Sequence, residues 1–249
     1  MEVYWFEQFA ADVPLDDEWL SRNEQLVLAG MKVPKRRADW RLGRWTAKLA
    51  VAAYLELSSD FEKLTSIEIR PAATGAPEAF LDHQPASVSI SLSHRDGNAA
   101  CLVAPAGRVV GCDLEVVEPH SEAFISDYFT PQEQDFIACS SSCNRPRLVS
   151  ILWSAKESAL KALRTGLRVD TRTVSASISP ELNNAITVNE TGSALTGEWH
   201  RLSVRYEESQ VFSGWWQCTD RLVRTFVSTP SANPPISLSN SHLSGAKQK

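Results

Sequence analysis

The sequence lacks the segments and signatures that would place it in several large functional classes. No continuous apolar run approaches the roughly 20 residues that a bilayer-spanning helix needs; the longest, Leu49 to Leu55, belongs to an alanine-rich amphipathic stretch. The start, Met1-Glu2-Val3-Tyr4-Trp5-Phe6-Glu7, has no basic region ahead of an apolar one and no Arg-rich, acid-poor leader, so a cytoplasmic protein without membrane contact is expected. Cysteine is sparse and unpaired: Cys101, Cys112, Cys139, Cys143 and Cys218 form no CxxC. Cys139 and Cys143 lack a second Cys/His pair to complete a zinc site, so all five are read as structural thiols. Neither a Walker A loop nor a GxGxxG turn nor a G-x-S-x-G elbow occurs, which sets aside nucleotide kinases, dinucleotide oxidoreductases and elbow-type serine hydrolases.

What is present is an ordinary globular composition: 249 residues, 43% hydrophobic and 22% charged, enough for one large domain or two small lobes. The net charge of −5 opposes broad nucleic-acid binding, which needs a basic surface to displace counterions. Locally the sign reverses. From Lys32 to Lys48 the cations Lys32, Lys35, Arg36, Arg37, Arg41, Arg44 and Lys48 face Asp39 alone, and a small polyanion is the expected ligand of such a block.

Periodicity gives a strand over residues 3–9, a helical stretch from Pro14 through Leu28, and a helix opened by Pro34. On that helix Trp45, Leu49, Ala52 and Ala53 make an apolar stripe, and Arg37, Arg41, Arg44 and Lys48 a basic one. Strands are expected at 66–70, 87–92, 99–104 and 108–117, with turns at Gly97-Asn98 and Pro105-Ala106-Gly107. Thr130-Pro131-Gln132-Glu133 is a capping box with proline at the first helical position. A longer helix spans about 147–164 and ends at Gly166 in a left-handed cap; strands follow at 174–178, 200–206, 211–218 and 222–227. The order strand, helices, strands occurs twice, switching near residue 107. This predicts an α+β fold of two lobes, 1–106 and 107–229, with a ligand between them. Residues 230–249, rich in Ser, Asn, Pro and Gly, are expected to be a disordered tail.

Asp113 and Glu115 are two apart in Gly111-Cys112-Asp113-Leu114-Glu115, so a strand there puts both carboxylates on one face. A solvent-facing strand edge would look the same. In Trp153-Ser154-Ala155-Lys156-Glu157-Ser158-Ala159-Leu160-Lys161, the residues Trp153, Glu157 and Lys161 fall on one helix side, with Leu148, Ile151, Leu152, Ala155, Ala159 and Leu163 opposite. A plain i,i+4 ion pair of Glu157 with Lys161 is the bland alternative. Three carboxylates with lysine beside them suit Mg²⁺ and a pyrophosphate. Ser93-His94-Arg95 at a strand end could cradle an anion; spacing alone leaves that undecided.

Taken in order, Lys35-Arg36-Arg37 with Gly43-Arg44, Ser93-His94, the Gly111–Glu115 block and Trp153-Ser154-Ala155-Lys156-Glu157-Ser158 with Lys161 resemble the signature blocks of the surfactin-synthetase type of 4'-phosphopantetheinyl transferase. The resemblance extends over roughly residues 1–228 and implies a pseudo-dimer of two similar α+β lobes with coenzyme A in the cleft. It implies a monomeric, Mg²⁺-dependent enzyme that moves the phosphopantetheine arm of coenzyme A onto a serine of an acyl or peptidyl carrier protein. By motif, Asp113, Glu115 and Glu157 match the metal ligands, with Glu157 or a metal-held water as base for the serine. Lys161 matches the lysine near the pyrophosphate, Ser93 and His94 the 3'-phosphate contacts, and Arg36 and Arg44 further phosphate contacts; Lys156 and Asp113 are counted with the coenzyme A-binding set. The sequence departs from many relatives at Arg95, where they have serine, and at Gly75-Ala76-Pro77, where they have Gly-Lys-Pro. Two other readings stay open: a non-catalytic coenzyme A or nucleotide-binding module, and a metal-dependent pyrophosphate hydrolase.

Overall fold

Proline at the first helical position and a Ser/Thr-x-x-Glu box ahead of an apolar run are strong local start signals, and the main helices begin on them. The computed structural model describes residues 1–178, 197–207, 210–219 and 221–238. Contacts divide the chain between Arg108 and Val109: one unit holds Val109–Pro234 with Met1, the other Glu2–Arg108 with the chain from Pro235 on. The fold is α+β.

In the N-terminal unit the elements are β1 (Tyr4–Phe9), α1 (Arg22–Ala29), α2 (Pro34–Tyr54), α3 (Phe61–Ser66), β2 (Ile67–Pro71), β3 (Pro77–Leu81), β4 (Gln84–Pro85), β5 (Val88–Arg95) and β6 (Asn98–Pro105). Strands β1, β6 and β5 are antiparallel neighbours in that order, and β2, β3 and β4 form a separate sheet. Helix α2 lies on the first sheet; Trp19, Trp45, Leu49, Ala52, Phe6 and Val103 share the core there. The β5–β6 hairpin closes on Asp96 (φ 50°) and Gly97 (φ 73°), the two left-handed residues that a type I′ turn requires.

The C-terminal unit runs β7 (Val109–Val116), α4 (Glu122–Tyr128), α5 (Pro131–Ala138), α6 (Arg145–Ala162), β8 (Val174–Ile178), β9 (His200–Tyr206), β10 (Gln210–Cys218) and β11 (Leu222–Thr229). Its five strands form one antiparallel sheet, β7-β11-β10-β9-β8. Leu148, Ile151, Leu152, Ala155 and Ala159 of α6 pack on Val174, Val204, Phe212, Val223 and Val227 of that sheet. Among the described residues no helix is long and apolar enough to cross a membrane.

Three local expectations are corrected. No helix runs from Pro14: only Arg22–Ala29 is helical, because Arg41 reaches into the preceding segment and takes the carbonyls of Pro14 and Asp16, while Leu15 is wholly exposed and has nothing to pack against. Helix α6 ends at Ala162, and the first left-handed residue after it is Arg164 (φ 57°), ahead of Gly166 (φ 56°). Residues 230–238 are not the unstructured stretch their composition predicts. The Trp215 indole donates to the Ala232 carbonyl at 2.9 Å, and β12 (Ile236–Ser237) pairs parallel with Tyr4 and Trp5 of β1. Backbone amides seek partners whatever the side chains are, and β1 has an open edge to offer them. The rest of the expected tail, residues 239–249, lies outside the described residues.

Candidate functional site

Gly111, Asp113 and Glu115 alternate along β7 and so share one face, the face on which α6 lies. A Cβ at Gly111 would stand 1.9 Å from the Ser158 carbonyl oxygen and 2.6 Å from the Ala162 amide nitrogen. Strand and helix backbones are therefore as close as they can be, and this brings α6 side chains onto Asp113.

Asp113 is 4% exposed. Its Oδ1 accepts from Lys161 Nζ at 2.7 Å and its Oδ2 from Ser154 Oγ at 2.9 Å. Glu157 lies one turn before Lys161, half-buried, with an Oε1 that is shielded from solvent and has no hydrogen-bond partner among the described residues. Burial pushes the Glu157 carboxyl above its ordinary range, the Asp113 charge pushes it further, and Lys161 offsets only part. For Lys161, burial opposes the ammonium charge, but Asp113 and the other nearby groups outweigh it and raise its pKa. One helical turn before Glu157, Trp153 meets Phe124 and Tyr128 edge-on at 5.1 and 5.3 Å, closing the apolar side of the site.

Glu115 is half-buried on the same strand face as Asp113. Among the described residues, however, no three Asp, Glu, His or Cys side chains are grouped closely enough to hold a metal ion. Asp113 and Glu157 are the pair whose charges bear on one another, with Lys161 bonded to Asp113 and Glu115 on the same strand face. The pair still fits a divalent cation. Hard oxygen donors suit Mg²⁺, which commonly uses one or two carboxylates and leaves its other positions to water and phosphate. A buried, partnerless carboxylate oxygen is what such an ion would satisfy.

Lys156 does not join this group. It is wholly buried, and its Nζ lies 2.6 Å from Glu133 Oε2 and over the Phe129 ring. Glu133 Oε2 also accepts from the Thr130 amide, and Oε1 accepts from the Ala176 amide of β8 at 2.7 Å. The N-terminal unit repeats every link. Lys48 of α2, also wholly buried, meets Glu24 Oε2 at 2.5 Å; Glu24 caps Ser21 at the start of α1, and its Oε1 accepts from Ile69 of β2 at 3.1 Å. Counting from the two lysines, Glu157 corresponds to Leu49 and Lys161 to Ala53. The lysine–glutamate latch therefore occurs with and without the acidic site, as a fastening of helix to sheet. Breaking a buried pair from one side costs about 3–5 kcal/mol. Lys156→Met should lose stability of that order in urea unfolding while the folded fraction keeps its KM for coenzyme A; a raised KM with unchanged stability would return Lys156 to the binding set.

The basic stripe of α2 is largely spent inside its own unit. Arg37 donates to the Leu28 carbonyl, Arg41 pairs with Asp17 at 2.8 Å, and Lys48 is in the latch. Arg44, with a side chain 16% exposed, lies over the Trp40 ring and 3.9 Å from Glu24, and burial lowers its pKa against the pull of Glu24. Arg36 is exposed. Ser93 is buried on β5 opposite Ala100, and His94 is exposed next to it, just before the Asp96-Gly97 turn. Cys139 and Cys143 are exposed, not structural core thiols; Cys101, Cys112 and Cys218 are buried.

Sequence reasoning passed over Gly111 as a spacing residue, although glycine inside a strand signals close backbone approach. It also passed over Ser154, Ser158 and Thr225, whose hydroxyls lie beneath Asp113. No curated protein matches the chain. Residues 109–217, which hold Asp113, Glu115, Glu157 and Lys161, match the family model of the 4'-phosphopantetheinyl transferase superfamily.

Proposed function

We propose that the protein transfers the 4'-phosphopantetheine arm of coenzyme A to a serine of an acyl or peptidyl carrier protein and releases adenosine 3',5'-bisphosphate. The observation that carries this reading is the Glu157 carboxylate oxygen, without a hydrogen-bond partner among the described residues, under the charges of Asp113 and Lys161 and within the segment that matches the family. The serine oxygen bonds to the β-phosphorus as the bond from that phosphorus to the bisphosphate oxygen breaks. Glu157 takes the serine proton as general base. Lys161, kept cationic by Asp113, offsets the charge that grows on the departing bisphosphate. Asp113 and Glu157 are the residues that would hold Mg²⁺, with Glu115 as a further ligand, and the ion would supply charge neutralisation on the pyrophosphate.

Arg36, Arg44, Ser93 and His94 are proposed as phosphate contacts in this reading. The cytoplasm and a monomeric state complete the proposal. Incubation with coenzyme A, Mg²⁺ and a panel of apo carriers should add one phosphopantetheine mass to a carrier. Bisphosphate release with no carrier present would instead identify a pyrophosphate hydrolase.

A further inference from the structure

Asp113 stands on a chain of buried hydroxyls. Ser154 Oγ donates to Asp113 Oδ2 at 2.9 Å, Ser154 and Thr225 hydroxyls are 2.9 Å apart, and Ser158 and Thr225 hydroxyls 2.7 Å apart. All three residues are wholly buried. Each hydroxyl has a single proton to give. Ser154 spends its proton on the carboxylate, so Thr225 donates to Ser154, and Ser158 has its own proton to share between the Thr225 hydroxyl at 2.7 Å and the Thr225 carbonyl at 3.2 Å. The Thr225 and Ser154 protons thus both point towards Asp113, the arrangement in which successive hydrogen bonds polarise and strengthen one another.

We infer that Thr225, which stands directly across from Asp113 on β11 and outside the family-matched segment, is a positioning residue: it orients the hydroxyl relay that pins Asp113 Oδ2, leaves Oδ1 turned to Lys161, and so fixes the carboxylate that would help hold a divalent cation. The N-terminal unit supplies the internal comparison. Counting from the latch lysines, Ser154 corresponds to Thr46 and Ser158 to Ala50. Thr46 gives its proton to the Leu42 carbonyl of its own helix, and alanine has none to give. Where the counterpart of Glu157 is Leu49 the relay is missing as well, so three buried hydroxyls are not a requirement of this fold. The inference rests on the metal-dependent transferase reading.

The test uses the full chain, titrated with Mn²⁺ alone and followed by the electron paramagnetic resonance of the free ion. Outer-shell partners of a metal ligand are worth about 10- to 100-fold in affinity. Thr225→Val, nearly isosteric, should weaken Mn²⁺ binding about tenfold or more, and Thr225→Ser, which keeps the hydroxyl, should restore it to within about threefold of the wild type. A residue that only packs the core would lower the melting temperature and leave the titration unmoved. If valine at 225 prevents folding, Ser154→Ala interrupts the relay one link nearer Asp113 and should show the same loss. Thr225→Val or Ser154→Ala within about twofold of wild type, or Thr225→Ser as weak as Thr225→Val, overturns the inference while the transferase reading stands. Wild-type protein that binds no Mn²⁺ overturns the metal reading and the relay's role together.

Discussion

Replacing Glu157 with glutamine is expected to lower turnover on the order of 10³-fold and, at the same time, to make the metal-free protein more stable. Loss of a positioned general base typically costs about 10²- to 10⁴-fold. Stability moves the other way because the native environment opposes the charge it holds. Burial and the Asp113 carboxylate raise the Glu157 pKa, and Lys161 only partly compensates. In the folded protein the acid therefore keeps its proton to higher pH than in the unfolded chain. Above the ordinary glutamate pKa of about 4.3, and up to the raised folded value, the native state binds more protons, so stability falls as pH rises through that window. Glutamine removes the titration and brings an amide that can donate beside Asp113. The melting-temperature advantage of Glu157→Gln over wild type should grow as pH rises above about 4, and added Mg²⁺ should narrow it by stabilising the wild type alone. Near-normal phosphopantetheine transfer by Glu157→Gln would remove this residue from the chemistry.

That two readings of one residue can be separated in this way reflects what the sequence could and could not disclose. Spacing alone placed Asp113 and Glu115 on one strand face and Trp153, Glu157 and Lys161 on one helix face, since these depend only on the two- and 3.6-residue periods. The Thr130–Glu133 box was legible as a helix start, and the observed cap has both of its reciprocal bonds. Its second use was not: nothing local tells that the other Glu133 oxygen serves Ala176, or that Lys156 is drawn inward to the same carboxylate. The same blindness shaped the basic stripe. Arg44 and Lys48 lie at the predicted positions on α2, yet a cation goes where its counter-charge is, and Glu24 is contributed by another helix. Ser21-x-x-Glu24 carries the same signal as Thr130-x-x-Glu133, and starting a helix at Pro14 concealed it. The gathering of three acids is a statement about tertiary distance that no local period carries; the structure sets Lys161 on Asp113 and lets the Asp113 charge bear on Glu157.

The largest structural effect is expected at a residue with no side chain. Gly111→Ala would place a methyl 1.9 Å from the Ser158 carbonyl oxygen, 3.0 Å from its carbonyl carbon and 2.6 Å from the Ala162 nitrogen. These are backbone atoms inside α6, so no rotamer change can relieve the clash; helix and strand must part by more than about 1 Å, and overpacking of this kind costs about 3 kcal/mol or more. The same displacement acts on the chemistry. Glu157 and Lys161 flank Ser158 on α6, and the 2.7 Å Lys161–Asp113 and 2.9 Å Ser154–Asp113 contacts span the gap that would open. A misplacement of about 1 Å can cost about 10²-fold in rate, so the variant should be slow even at temperatures where it remains folded. Gly43, inside α2, is the control. A Cβ there meets nothing within 4 Å, and Gly43→Ala should gain about 0.5–1 kcal/mol by restricting the unfolded chain. Urea unfolding and carrier modification measured on both variants separate the two cases: a Gly111→Ala protein as stable and as active as Gly43→Ala would mean that α6 does not need its close seat on β7 to present Glu157 and Lys161 to Asp113.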